Sequence, residues 1–245
     1  MIKREQDHLK WLEFELFAEC KKLRCGIFTR YGGISAAPYA SMNLSMTTGD
    51  IPAKVEENRK KLRTLFGAAT CSYSLQMHGI QVAVAKDQAE EADGQITSDP
   101  CRMLVQLHAD CQVAIFYDPI RHALGTAHAG WRGNVQNIYK EIIEKMGVCF
   151  GTRPQNLLVG ISPSLGPNSA EFIHYKKELP EHFWPYRVGS SCFDLWQIGK
   201  DQLIDAGVCP DHIQAAEIDT YSSPDFFSFR REKITGRNGT AAMLL

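Results

Sequence analysis

The sequence predicts an α+β protein, with mixed β-sheets in the centre covered by helices in a layered sandwich. Three observations carry that expectation. Apolar runs of strand length recur, most clearly at 103–107, 112–117 and 156–161. Two stretches, 51–67 and 194–207, place their apolar residues at helical spacing and end in glycine. Strand-like runs cluster without strict β-α alternation, which argues against a doubly wound sheet. At 245 residues the chain can bury a sizeable core. It carries neither a linker-like segment nor a solenoid repeat, so one domain spanning 1–245 is expected.

Taken in order, residues 8–19 are apolar but irregular, and 25–30 (CGIFTR) form a short strand running into the Gly32-Gly33 turn. Residues 38–50 are turn-rich, yet Tyr39, Met42, Leu44 and Met46 recur there, so an ordered loop is expected. A helix follows, capped by Asp50, with Pro52 in its first turn and Gly67 at its end. Its inward stripe is Val55, Leu62 and Phe66, and Arg59 falls within it. Short strands are expected at 73–76, 80–85 and 92–98.

The stretch from 103 to 132 reads as two apolar strands joined at Asp118-Pro119, with a helix over 133–146 after the Ala129-Gly130 turn. Residues 156–161 (NLLVGI) form a buried strand, 162–169 a loop and 171–183 a helix. Asp194 caps a last helix ending at Gly207. Strands are expected at 213–218, 226–230 and 240–245, with a cationic turn at 230–237.

Lys+Arg 27 against Asp+Glu 28 leaves none of the basic footprint of a nucleic-acid binder. Charges interrupt the N-terminus, and no run approaches the roughly 20 apolar residues that cross a bilayer. A cytoplasmic protein, monomeric or weakly homo-oligomeric, is expected. The eight cysteines include no C-x-x-C pair, and a chain of this size needs no disulfide staples, so most should be small buried hydrophobes.

Three residues stand in chemically suggestive positions: His78 in Gln76-Met77-His78-Gly79, Cys111 in Ala109-Asp110-Cys111, and His128 ahead of Ala129-Gly130. Two imidazoles and a thiolate make a good three-point zinc site with a fourth position open. The histidines sit near glycine at strand ends, where a side chain can reach a pocket, and read as ligands. For Cys111 the residues alone favour a buried thiol. His108, three positions from Cys111 on a strand, should face the other way. Arg59 reads from spacing as a snorkelling arginine or an anion binder, with the first slightly favoured. Asp110 either braces the turn or moves a proton. Gln76 is a purine or ribose reader or a backbone partner, and Arg230, Arg231 and Arg237 read as structural or solvated.

Several segments together resemble one family: FTRYGGIS at 28–35, SMNLS at 41–45, GDIPAKVEENRKKL at 49–62, QMHG at 76–79, ADCQVAIFYDP at 109–119, GTAHAGWRG at 125–133 and FFSFRREKITGR at 226–237. They are similar, in order and almost end to end, to the laccase-domain proteins, known both as polyphenol oxidases and as YfiH-type purine nucleoside phosphorylases. The resemblance implies a zinc held by His78, Cys111 and His128, a purine nucleoside and phosphate as substrates, and adenosine deamination as a companion activity. S-methylthioadenosine is a further substrate in that range. Arg59 lies in the family's E-N-R segment, which raises its anion-binding reading. Arg59, Gln76 and Asn43 are then expected to bind substrate or phosphate, and Asp110 and Cys111 to be catalytic. The chain departs from the family pattern at His108, at Asn168-Ser169 and at Asp219, where a small residue and cysteines are usual.

Two other classes compete. Copper oxidation of phenols suits N and S ligands, but a multicopper cluster needs many histidines, and this chain has eight with no H-x-H. A thiol hydrolase using Cys111 with His128 as base, acting in cell-wall precursor editing, predicts activity that survives chelation. Zinc deaminases carry H-x-E and P-C-x-x-C, both absent here, leaving Asp110 as the available acid/base.

Overall fold

The computed structural model describes residues 1–245. Its strands are β1 (Ile2–Gln6), β2 (Leu9–Glu13), β3 (Leu23–Phe28), β4 (Thr70–Tyr73), β5 (Val82–Val84), β6 (Gly94–Thr97) and β7 (Arg102–His108). They continue with β8 (Gln112–Asp118), β9 (Ala123–Ala129), β10 (Leu158–Ile161), β11 (Arg187–Val188), β12 (Cys192–Phe193), β13 (Ile213–Ala215) and β14 (Asn238–Leu244). The helices are α1 (Pro52–Phe66), α2 (Trp131–Val135), α3 (Ile138–Phe150), α4 (Tyr175–Glu178), α5 (Leu195–Asp205) and α6 (Phe229–Glu232).

Two six-stranded sheets form the centre, ordered β1-β2-β3-β14-β7-β4 and β13-β10-β8-β9-β6-β5. Both are mixed: β4 with β7, β5 with β6 and β10 with β13 pair in parallel, and the other neighbours antiparallel. The two-residue period of a strand sends alternate side chains to opposite faces, which builds the layers. In the first sheet, Met103, Val105, Ala241 and Met243 meet Leu62 and Phe66 of α1. Between the sheets, Leu104, Ala242 and Leu244 meet Ile115, Tyr117 and Leu124. On the far side of the second sheet, Ala114, Phe116 and Ala127 pack under Ile138, Ile142 and Met146 of α3. The expected layered α+β sandwich is the observed one. No helix is long and apolar enough to cross a membrane.

Several expected elements differ. The 103–132 stretch contains three strands. β7 belongs to the first sheet and β8 to the second, and the chain changes sheets at Ala109-Asp110-Cys111, where Asp110 has φ +96°. The helix expected over 133–146 starts at Trp131 and breaks at Asn137. There the backbone turns left-handed (φ +61°), and the Asn137 side chain accepts from the Lys140 amide at 3.1 Å to start α3. Asp50 does not cap α1. Its carboxylate accepts from the Ile51 amide and the Asn43 side chain, and the Ile51 carbonyl opens the helix. Gly67 does end α1, at φ +60°.

The 171–183 helix shrinks to α4, because Pro180 cannot continue it and a 3-10 turn over Glu181–Tyr186 follows. Residues 226–230 form no strand. The Asn238 side chain takes both backbone groups of Phe227, at 2.9 Å each, and Ser228 caps α6 by accepting from the Arg231 amide. Asp194 caps α5 as expected, accepting from the Gln197 amide at 2.9 Å.

Candidate metal centre

The inter-sheet layer is apolar at one end and polar at the other. Two steps along β7 from Leu104 lies Gln106, and two more reach His108. Along β9 the same spacing runs Leu124, Thr126, His128; along β14, read backwards, Leu244, Ala242, Thr240. At the polar end Gln106 donates to the Thr126 hydroxyl at 3.3 Å, and His108 Nε2 meets the Thr240 hydroxyl at 2.9 Å. The chain leaves these strands at the sheet-changing turn, and there the ligand atoms of His78, Cys111 and His128 come within 4.8 Å of one another. The two imidazole rings stand almost perpendicular, with centroids 4.9 Å apart.

Asp93, fully buried, organises the cluster. Its carboxylate accepts from the backbone amides of Met77, His78 and Gly79, at 3.1, 3.0 and 2.7 Å. It also meets His128 Nδ1 at 2.9 Å, and its carbonyl accepts from the His128 amide at 2.7 Å. One carboxylate therefore pins the loop carrying His78, itself left-handed at φ +59°, and orients the second histidine. With Nδ1 engaged, Nε2 of His128 is the nitrogen left for an ion, the carboxylate–histidine arrangement common at metal sites. Sequence reading placed Asp93 only at the start of the strand expected over 92–98. A buried acid opening a strand between two candidate ligands is the signal that could have found it.

Burial alone would raise the Cys111 thiol, but His128 and His78 facing it hold it down at about 6. Burial would lower His128, yet Cys111 and Asp93 raise it to about 9. Asp93 stays below the ordinary carboxylate range despite burial, because His128 and the loop amides donate to it. Gly130 completes the cradle: a Cβ there would lie 2.9 Å from His78 Cδ2 and 3.5 Å from Cys111 Sγ. Two nitrogens and a thiolate, pre-oriented by a buried acid, fit a soft or borderline divalent ion.

The other expected site residues are engaged by hydrogen bonds or packing within the protein. Asp110 accepts from the Thr220 hydroxyl at 2.8 Å and the Arg230 amide at 2.6 Å, tying the ligand turn to a loop and to α6. Gln76 exchanges both its amide groups with the Leu107 backbone, at 2.8 and 3.1 Å. Asn43 is fully buried. It donates to Ser45, Thr48 and Asp50 and accepts from the Ser45 and Arg237 amides. Arg59 stacks on the Tyr73 ring at 3.9 Å and donates through Nε to the Leu44 carbonyl at 2.8 Å. His108 stays in the inter-sheet layer, held neutral because burial lowers it to about 3. Ser169 donates to Asp219 at 2.7 Å.

Fold and site together define a two-sheet α+β protein with one candidate mononuclear metal centre of two histidines and a cysteine. The chain belongs to the family described as Multi-copper polyphenol oxidoreductase laccase, whose model matches residues 24–245. It is 31% identical over 232 residues to Purine nucleoside phosphorylase YfiH of Escherichia coli (strain K12), covering 89% of this chain and 92% of that protein. It is 37% identical over 215 residues to Purine nucleoside phosphorylase of Deinococcus radiodurans, covering 83% and 82%. Among solved structures, YlmD from Geobacillus stearothermophilus superposes with a TM-score of 0.88 at 26% identity, over 98% of this chain and 97% of that one. The Bacillus licheniformis hypothetical protein YfiH shares the fold, with a TM-score of 0.88 at 24% identity and 99% of each chain covered.

Proposed function

We propose that the protein is a zinc-dependent purine nucleoside phosphorylase acting on adenosine-, inosine- or guanosine-type nucleosides. S-methylthioadenosine is a further substrate in this reading, and adenosine deamination a companion activity. The observation that carries it is the convergence of His78, Cys111 and His128, with Asp93 behind them, in a chain whose relatives bear that enzyme name.

A zinc ion bound in this centre would supply Lewis acidity. His78, Cys111 and His128 would hold it, Asp93 fixes the His128 ring, and Gly130 leaves the space. Phosphate attack at the ribose anomeric carbon builds positive charge on the sugar and negative charge on the departing purine, and fixed charges beside the site stabilise both. Of the two carboxylates at the centre, Asp93 accepts from three amides and an imidazole, so it positions and does not shuttle. Asp110 accepts only two hydrogen bonds, and is the group we assign to proton transfer at the purine. Asn43 and Gln76 have their polar atoms engaged within the protein, so we read them as the frame of the site.

The family's description favours a second reading, a copper site oxidising phenols, since N and S ligands suit copper as well. A multinuclear cluster needs more histidines than this grouping offers. The depressed Cys111 thiol, with His128 against it, favours a third, a cysteine hydrolase.

One experiment separates the three. Bound metal is quantified in the purified protein, then purine release from adenosine and inosine is followed with and without phosphate, before and after chelation and thiol alkylation. Zinc near one per chain with phosphate-dependent release, lost on chelation and in His78→Ala, is the expected result. Release untouched by chelation but stopped by alkylation transfers the assignment to the Cys111 thiol; copper with phenol oxidation transfers it to the oxidase.

A further inference from the structure

Arg237 immediately precedes β14. That strand pairs with β7 so that Asn238 lies opposite His108. The same antiparallel register carried one step further sets Arg237 across from Ala109, next to Asp110 and Cys111. Its backbone is locked, the amide donating to Asn43 Oδ1 at 2.9 Å and the carbonyl accepting from the Leu44 amide at 3.3 Å. Asn43, expected to meet substrate, thus serves as the seat of this arginine.

The guanidinium itself is only partly used. Nη1 donates to the Thr235 and Gly236 carbonyls at 3.1 Å each, leaving Nε and Nη2 without a protein acceptor. Its neighbours Arg30 and Arg231 share the Glu232 carboxylate, but Arg237 forms no ion pair. Burial holds it below the ordinary guanidinium range, while the charges of Cys111 and Asp110 pull it back up. It lies 5.8 Å from the ring centre of Phe229, and Lys233 Nζ lies 5.7 Å from the same ring. Phe229 is 49% exposed, so both cations border a face open to solvent.

A half-buried guanidinium with no carboxylate pays desolvation without the compensating partner, and an anion completes it. Its planar fork matches two phosphate oxygens at once. Arg59 is placed differently. In β4, Tyr73 packs on the α1 side of the first sheet, while Ser72 accepts from Gln95 of the second sheet at 2.7 Å. Arg59, stacked on Tyr73, therefore lies across the first sheet from the ligand cluster.

We propose that Arg237 anchors the phosphate co-substrate at the rim of the metal centre, a role that the family resemblance implies for Arg59. The proposal rests on the phosphorylase reading above. Inorganic phosphate is the probe, used with the zinc-loaded full chain. The KM for phosphate is measured in wild type, Arg237→Gln, Arg237→Lys and Arg59→Gln, with nucleoside KM and bound zinc measured alongside. Arg237→Gln raises the phosphate KM about tenfold or more, and Arg237→Lys, which keeps the charge and loses the fork, raises it severalfold. Nucleoside KM and zinc stay at the wild-type level, as does the phosphate KM of Arg59→Gln. A phosphate KM that rises in Arg59→Gln and not in Arg237→Gln overturns the assignment. If Arg237→Gln does not fold, Arg237→Lys decides alone, and a wild-type phosphate KM there counts against the anchor.

Purine release that ignores phosphate in the wild type sinks the phosphorylase reading separately. The anion site is then read from the rise in Tm on adding phosphate. A rise in wild type that vanishes in Arg237→Gln keeps the site, and no rise in wild type removes it.

Discussion

The two ends of the inter-sheet layer are built from the same strands and behave as different materials. At one end Leu104, Ile115, Leu124, Ala242 and Leu244 fill space and need no partner. At the other, Gln106, His108, Thr126, His128 and Thr240 occupy the same face two or four residues further along. Each polar group there must find a partner or carry a desolvation cost. Most do, but His108 Nδ1 and Gln95 Oε1 have none. The apolar end secures the sandwich cheaply. The polar end spends hydrogen bonds on placing three ligand side chains where the chain crosses between sheets.

The contrast can be broken from either end. The largest effect belongs to the polar end: His128→Ala removes a ligand and the partner of Asp93 together, and we expect bound metal to be lost. Activity measured at saturating substrate should then fall by about a thousandfold, the scale of electrostatic stabilisation in such sites. Retention of full metal content in that variant would falsify the ligand set. Leu124→Ala, at the apolar end, should lose about 2–5 kcal/mol of stability in denaturant unfolding. Below the transition, the folded variant should still bind one metal with wild-type affinity. If it does not, the two ends are not separable.

Asp93→Asn tests the brace. An amide can still pair with the His128 ring but no longer suits three amide donors and an imidazole at once. Metal affinity should fall about 10- to 100-fold by competition with a chelator, with the fold retained in circular dichroism. An unchanged affinity makes Asp93 a loop pin only.

The smallest effect concerns His108. Its folded pKa is lowered from 6.5 to about 3 by burial, so the unfolded chain takes up a proton first as the solution acidifies. The stability associated with its neutral burial is present above about pH 6.5 and is lost progressively as pH falls toward 3. In the metal-free protein, unfolding followed over that window should show a shallower acid decline for His108→Gln than for wild type. Parallel curves would mean that His108 does not stay neutral.

Much of the frame is legible in the residues. α1 with Gly67, α5 with its Asp194 cap, β10 and β14 follow from local spacing and capping. Where local reading failed, a distant group had intervened. Asn43 draws Asp50 away from the α1 cap, and Asn238 occupies the backbone of Phe227 in place of a strand. Local spacing also ran 133–146 as one helix, since nothing periodic marks the left-handed turn at Asn137. For the candidate site, His78 and His128 could be picked from short motifs beside glycine, while Cys111, a buried thiol by its residues alone, was picked by likeness to a family.

By itself, then, the sequence determined which segments are amphipathic, where most helices begin and end, and which side chains have ligand chemistry. These depend on neighbours a few residues away, and periodicity records them. Only the tertiary structure decided that β7 and β8 lie in different sheets, that Asp93 stands behind both histidines, and that the segment leading into β14 runs beside the end of β7 while Arg59 stacks on Tyr73. Strand register and side-chain hydrogen bonds between distant segments set those positions, and they repeat with no period along the chain.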